Sequence, residues 1–123
     1  RLQDLLNENS KPVRGSRVVI VGVTYKPNVA DSRESPSRPI ASTLLGMGAQ
    51  LTYWDPFVDE WTVDGQPIAR VEDLHAAVAA GEFDAVLLLQ QHKQLDLGLL
   101  QTSSVPVFDT RAVLDPQDPV ERL

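Results

Sequence analysis

Four consecutive β-branched residues, Val18, Val19, Ile20 and Val21, constrain this chain more than any other feature. Branching at Cβ favours extended backbone. The absence of polar alternation predicts a strand buried on both faces, as in parallel sheets covered by helices. The run ends at Gly22 and opens into a polar segment, residues 24–34, before Ser35-Pro36. Those two read as a helix start, because a serine oxygen can accept from a free amide and proline fits the first helical position. Strand, polar loop and helix N-terminus, in that order, form the arrangement with which open α/β sheets bind phosphorylated ligands. The loop carries Tyr25, Lys26 and Arg33, an aromatic for something flat and two cations for a pyrophosphate. Many α/β domains place a plain polar loop here, so the loop alone leaves both readings open. The glycine-rich dinucleotide fingerprint is absent: Tyr25 and Lys26 stand where close-approach glycines would be expected.

The rest of the chain alternates strand and helix signals. Residues 1–9 put Leu2, Leu5 and Leu6 on one helical face, too short to stand alone. They read as the end of a longer inter-domain helix, its leucines packing on a neighbour, with residues 1–12 as helix end and linker and residues 13–123 as the domain. Ile40, Ala41, Leu44 and Leu45 recur at helical spacing before Gly46 and Gly48. Pro39, in the fourth helical position if Pro36 is the first, would delete a hydrogen bond. Residues 50–54 read as a second strand, ended by Asp55-Pro56. Asp64-Gly65 marks a hairpin turn. Residues 71–80 read as a helix closed by Gly81, and residues 85–89 as a second core strand. A short helix is expected at 95–100, a last strand at 105–108, and an irregular tail at 115–123. The fold class is α/β, a Rossmann-like open, mainly parallel sheet with flanking helices and right-handed crossovers. Such sheets bind ligands beyond the carboxyl ends of their strands. That rule gathers residues 24–34, 55–57, 90–93 and 109–111 on one rim.

Composition excludes several classes. A chain of 123 residues is one domain with room for a core. The net charge of -6 is wrong for a nucleic-acid surface, which needs a basic patch, yet leaves room for a nucleotide held by a local cluster. With no cysteine there is no disulfide, no thiolate metal site and no cysteine nucleophile. No stretch reaches the ~20 apolar residues of a membrane-spanning helix. No signal peptide is visible, which points to the cytoplasm, and a start at Arg1 reads as a fragment or processed product.

Residues 22–36, GVTYKPNVADSRESP, resemble the loop that opens the C-terminal, UDP-sugar-binding domain of the UDP-glucose/GDP-mannose dehydrogenase family. The matching positions are Gly22, Tyr25, Lys26, Asp31, Arg33, Glu34, Ser35 and Pro36. A family Tyr-Asp-Pro element is similar to Tyr53-Trp54-Asp55-Pro56, and an Asp-x-Arg element to Asp109-Thr110-Arg111. The resemblance implies an NAD-dependent UDP-sugar 6-dehydrogenase that oxidises a primary alcohol twice through a cysteine thioester. The cysteine and the NAD fingerprint would belong to N-terminal and central domains of the same polypeptide, and this segment alone would be inactive. It further implies a homodimer of the complete chain. Glucose, N-acetylmannosamine and N-acetylglucosamine stay open as the sugar. The alternatives are GDP-mannose as substrate, or a non-enzymatic nucleotide-binding module.

Residue by residue, the resemblance assigns Tyr25, Lys26 and Arg111 to the nucleotide-sugar and Arg33 to NAD across the cleft. Each has a plainer alternative: Lys26 as a solvated surface lysine, Arg33 as a partner of Asp31 or Glu34, and Arg111 as a partner of Asp109. Glu34 orients the loop. Asp55 is expected to hold the turn before Pro56 rather than to meet a base. His75 reads as surface, and His92 as a rim residue without a partner for a triad or a metal site.

Overall fold

In a computed structural model, residues 14–24, 35–101 and 105–109 and the backbone of 120–122 are described. Leu2, Leu5, Leu6, Tyr25, Lys26, Arg33 and Arg111 lie outside them. The described residues form one seven-stranded sheet in the order β3-β4-β2-β1-β5-β6-β7. The strands are β1 (Arg17–Val21), β2 (Gln50–Trp54), β3 (Trp61–Val63), β4 (Gln66–Arg70), β5 (Ala85–Leu88), β6 (Val107–Asp109) and β7 (Val120–Arg122). The helices are α1 (Ser37–Gly46), α2 (Leu74–Ala79) and α3 (Leu97–Gln101). All neighbours pair in parallel except β3 with β4, which form the hairpin at Asp64-Gly65.

The β-branched run is the central strand and is buried on both faces. Its alternation divides the core. Val18 and Ile20 pack with Ala41 and Leu44 of α1 and with Tyr53, Leu87 and Phe108. Val19 and Val21 point the other way, toward Leu74 and Val78 of α2 and toward Leu88 and Val107. Burying each such side chain contributes roughly 1.5–3 kcal/mol, so this one strand anchors both layers.

Ser35 and Pro36 do start a helix, one residue later than expected. Pro36 takes the capping position, and the Ser37 amide donates to Ser35 Oγ at 3.1 Å. The first helical hydrogen bond runs from the Ile40 amide to the Pro36 carbonyl, at 3.3 Å. Pro39 therefore falls in the first turn, where its missing N–H would have had no helical partner. The proline that looked disruptive costs no helical bond. At the other end the Gly48 and Ala49 amides close α1 on the Leu45 and Leu44 carbonyls, at 3.0 and 3.1 Å. The second helix is shorter than residues 71–80, because Asp73 caps it by accepting from the Ala76 amide at 3.0 Å.

The tail departs from expectation. The strand expected at 105–108 is β6 (Val107–Asp109) and is not the last, since β7 pairs alongside it with Val120 opposite Val107. A strand of sequence VER has no apolar pattern to announce it. Its place is set by the open backbone edge of β6, which sequence periodicity does not report.

Tyr53 sits fully buried in the α1 layer, its hydroxyl donating to the Val58 carbonyl at 2.8 Å and its ring edge-on to Trp61 at 5.5 Å. Burial pushes its phenol upward; Arg70 opposes this, and Asp55, Asp59 and Glu60 reinforce it. The neutral phenol is thus the form the fold holds. An unfolded tyrosine ionises near pH 10, so this contribution is complete below about 10 and is lost as pH rises through the higher folded-state value. Stability measured by urea unfolding between about pH 9 and pH 11 should fall more steeply for the parent chain than for Tyr53→Phe. Parallel pH profiles would contradict this.

Candidate functional site

The strand order reverses at β1: β2 leaves on one side and β5 on the other. This is the switch point at which open α/β sheets place ligands, beyond the carboxyl ends. Parallel pairing brings the ends of β1, β2, β5 and β6 to one rim, as expected, with Gly22, Asp55, Leu89 and Asp109 there. Arg70, at the end of β4, shares this rim and was not foreseen. Its guanidinium donates to the Asp55 carbonyl at 3.3 Å and lies 3.5 Å from Asp59 and 3.7 Å from Glu72.

The turn after β1 is tight. Gly22 donates to the Trp54 carbonyl at 2.9 Å and has φ +83. A Cβ there would strike the Gln90 carbonyl oxygen and come within 2.6 Å of Gln90 Cβ. Glycine is required both by the conformation and by the approach of the β5 loop. Beyond it, the Val23 amide donates to Asp55 Oδ2 at 2.9 Å, and the Val23 carbonyl accepts from Ser37 Oγ at 2.8 Å. Residues on either side of the 25–34 loop are thus tied to each other.

Asp55 is fully buried and is the centre of the rim. Its Oδ1 accepts from the Phe57 amide at 2.8 Å, holding the turn across Pro56 that the sequence had led one to expect. Its Oδ2 accepts from the Val23 amide and lies 2.8 Å from His92 Nε2. Because a carboxylate only accepts, His92 Nε2 carries the hydrogen toward it. Thr24 Oγ1 lies 3.3 Å from the same nitrogen, and Phe57 stacks at a tilt with a ring separation of 4.9 Å. His92, expected on the rim, is fully buried there against Asp55. The sequence signal was slight: Asp-Pro after one strand and a histidine after another, brought together only by the 2-1-5 strand order. His75 also departs from a plain surface role, since its Nε2 accepts from the Asp96 amide at 3.1 Å beside Trp54.

Asp55 and His92 are both fully buried, so the cluster shapes the rim from beneath. Among the described residues no group of three or more His, Asp or Glu could hold a metal ion, and no helix is long and apolar enough to cross a membrane. Asp109 is buried at the end of β6, while its expected companion Arg111 lies outside the described residues.

The geometry defines a doubly wound α/β domain with its switch point between β2 and β5, at β1. The family model for the UDP-glucose/GDP-mannose dehydrogenase family, UDP binding domain, matches residues 19–116. The chain belongs to this family. It is 41% identical over 115 residues to a UDP-N-acetyl-D-mannosamine dehydrogenase of Methanococcus maripaludis, covering 87% of this chain and 25% of that protein. It is 32% identical over 100 residues to a UDP-glucose 6-dehydrogenase of Rhizobium meliloti, covering 74% of this chain and 21% of the relative. The crystal structure of NDP-N-acetyl-D-galactosaminuronic acid dehydrogenase from Methanosarcina mazei has the same fold, with TM-score 0.75, 21% identity, and coverage of 97% of this chain and 26% of that one. A UDP-glucose dehydrogenase from Pyrobaculum islandicum aligns with TM-score 0.63 and 27% identity, covering 86% of this chain and 24% of that one. The chain thus spans about a quarter of these relatives' length.

Two substitutions test the rim. Gly22→Ala should destabilise the domain by about 3 kcal/mol or more, because backbone must move as well as strain be borne. Gly65→Ala, at φ +75 but facing open space, should cost only about 1–2 kcal/mol. Equal losses in chemical denaturation would refute the close approach. Asp55→Asn cannot satisfy all its partners, because one amide oxygen cannot replace two carboxylate oxygens and its NH2 must face an N–H donor. A loss of about 1–3 kcal/mol is expected, and an unchanged unfolding free energy would contradict the network.

Proposed function

We propose that this chain is the nucleotide-sugar-binding domain of an NAD-dependent dehydrogenase that oxidises the C6 hydroxyl of a UDP-hexose to a carboxylate. The match over residues 19–116 carries this reading, because it spans the switch-point rim and the loop that holds Tyr25 and Lys26. The substrate is UDP-glucose or a UDP-N-acetylhexosamine; relatives named for both kinds support keeping both. Tyr25, Lys26 and Arg111 bind the nucleotide-sugar. The two cations follow strands whose carboxyl ends share one rim, and together they suit a pyrophosphate by charge-assisted hydrogen bonds.

The glycine-rich fingerprint that cradles a dinucleotide pyrophosphate is absent after β1, where Tyr25 and Lys26 stand in place of close-approach glycines; this supports placing NAD elsewhere. We assign NAD to a preceding domain of the same polypeptide, reached by Arg33. The chain has no cysteine, so the thioester nucleophile is also assigned there. The complete polypeptide works as a cytoplasmic homodimer, and this segment alone turns over no substrate.

Steady-state kinetics of the complete polypeptide test the assignment. Lys26→Ala and Arg111→Ala should each raise the UDP-sugar KM about tenfold or more, the equivalent of ~1.4 kcal/mol. Arg33→Ala should weaken NAD more than the sugar nucleotide. Wild-type UDP-sugar affinity in the first two variants would remove the site. NADH production by residues 1–123 alone would remove the division of labour.

A further inference from the structure

The Asp55–His92 pair is more polar than its surroundings require. Both side chains are fully buried. Replacing such a pair with apolar residues is often neutral or stabilising, so stability alone does not account for it. What the pair supplies is position. One carboxylate holds the Val23 amide from the β1 loop, the Phe57 amide from the β2 loop and the His92 ring from the β5 loop. Ser37 Oγ on the Val23 carbonyl fixes the same residue from the side of α1. Thr24, hydrogen-bonded to His92, immediately precedes Tyr25 and Lys26 in the chain. Two residues, Thr24 and Tyr25, stand between Val23 and Lys26, so the lysine's Cα lies at most about 10 Å from that of Val23, and where Val23 is held limits where the lysine can be.

We propose that His92 and Asp55 are positioning residues for nucleotide-sugar binding. They do not touch the ligand; they hold the Val23–Thr24 stem from which Tyr25 and Lys26 reach it. This rests on the assignment of Tyr25 and Lys26 above.

The test is UDP affinity, measured by titration calorimetry on the complete polypeptide. His92→Leu removes the donor to Asp55, whereas His92→Gln keeps an N–H donor. Leu74→Ala serves as the stability control, since Leu74 is buried in the α2 layer away from the network. His92→Leu should weaken UDP binding about tenfold, His92→Gln should recover most of it, and Leu74→Ala should leave it unchanged at an equal or larger loss of Tm. Unchanged affinity in His92→Leu overturns the proposal, as does an equal weakening in Leu74→Ala. If His92→Leu does not fold, Thr24→Val decides: a loss of about threefold supports the proposal and no loss overturns it. A wild-type protein that binds no UDP overturns the functional assignment itself, and the positioning role with it.

Discussion

A carboxylate removed from water must find its donors within the protein. For an ionised group the desolvation penalty is several kcal/mol, repaid only by good geometry and saturated hydrogen bonds. Asp55 meets this condition with donors from three different loops. The requirement runs in both directions: the carboxylate needs the loops, and the loops are held at fixed separations by the carboxylate. The close contact of Gly22 with Gln90 has the same effect, since β1 and β5 meet there with no room for a side chain. At these points the strand ends are held to one another by hydrogen bonds and close contact between the protein's own groups.

The close approach at Gly22 suits the proposed reading, in which a nucleotide-sugar is shared with another part of the polypeptide and this chain covers about a quarter of its relatives' length. The described residues form the rim, and Tyr25, Lys26 and Arg33, proposed to meet the ligands, belong to the 25–34 segment.

Much of the platform was legible in the sequence. The β-branched run gave the central strand, and the spacing of Ala41 and Leu44 gave the helix covering one face. Asp64-Gly65 gave the hairpin. These are local signals, each contained within a few residues. The Asp55–His92 contact was not legible, because its partners are 37 positions apart and meet only after β2 and β5 have taken opposite sides of β1. Strand order is a global property, and no pattern in residues 50–60 or 85–95 encodes it. β7 escaped for the related reason that its pairing comes from the exposed edge of β6 and not from its own composition. Pro39 misled because its cost depends on a one-residue shift in where the helix begins.

We propose that the nucleotide rests on the carboxyl rim at the switch point, organised on Asp55. A crystal structure of the complete polypeptide with UDP bound tests this most directly. Uridine diphosphate is expected over the ends of β1 and β2, within reach of Lys26, with the Asp55 carboxylate still accepting from the Val23 and Phe57 amides. UDP at the opposite edge of the sheet, in the groove lined by Arg17, Gln50 and Phe83, would contradict it.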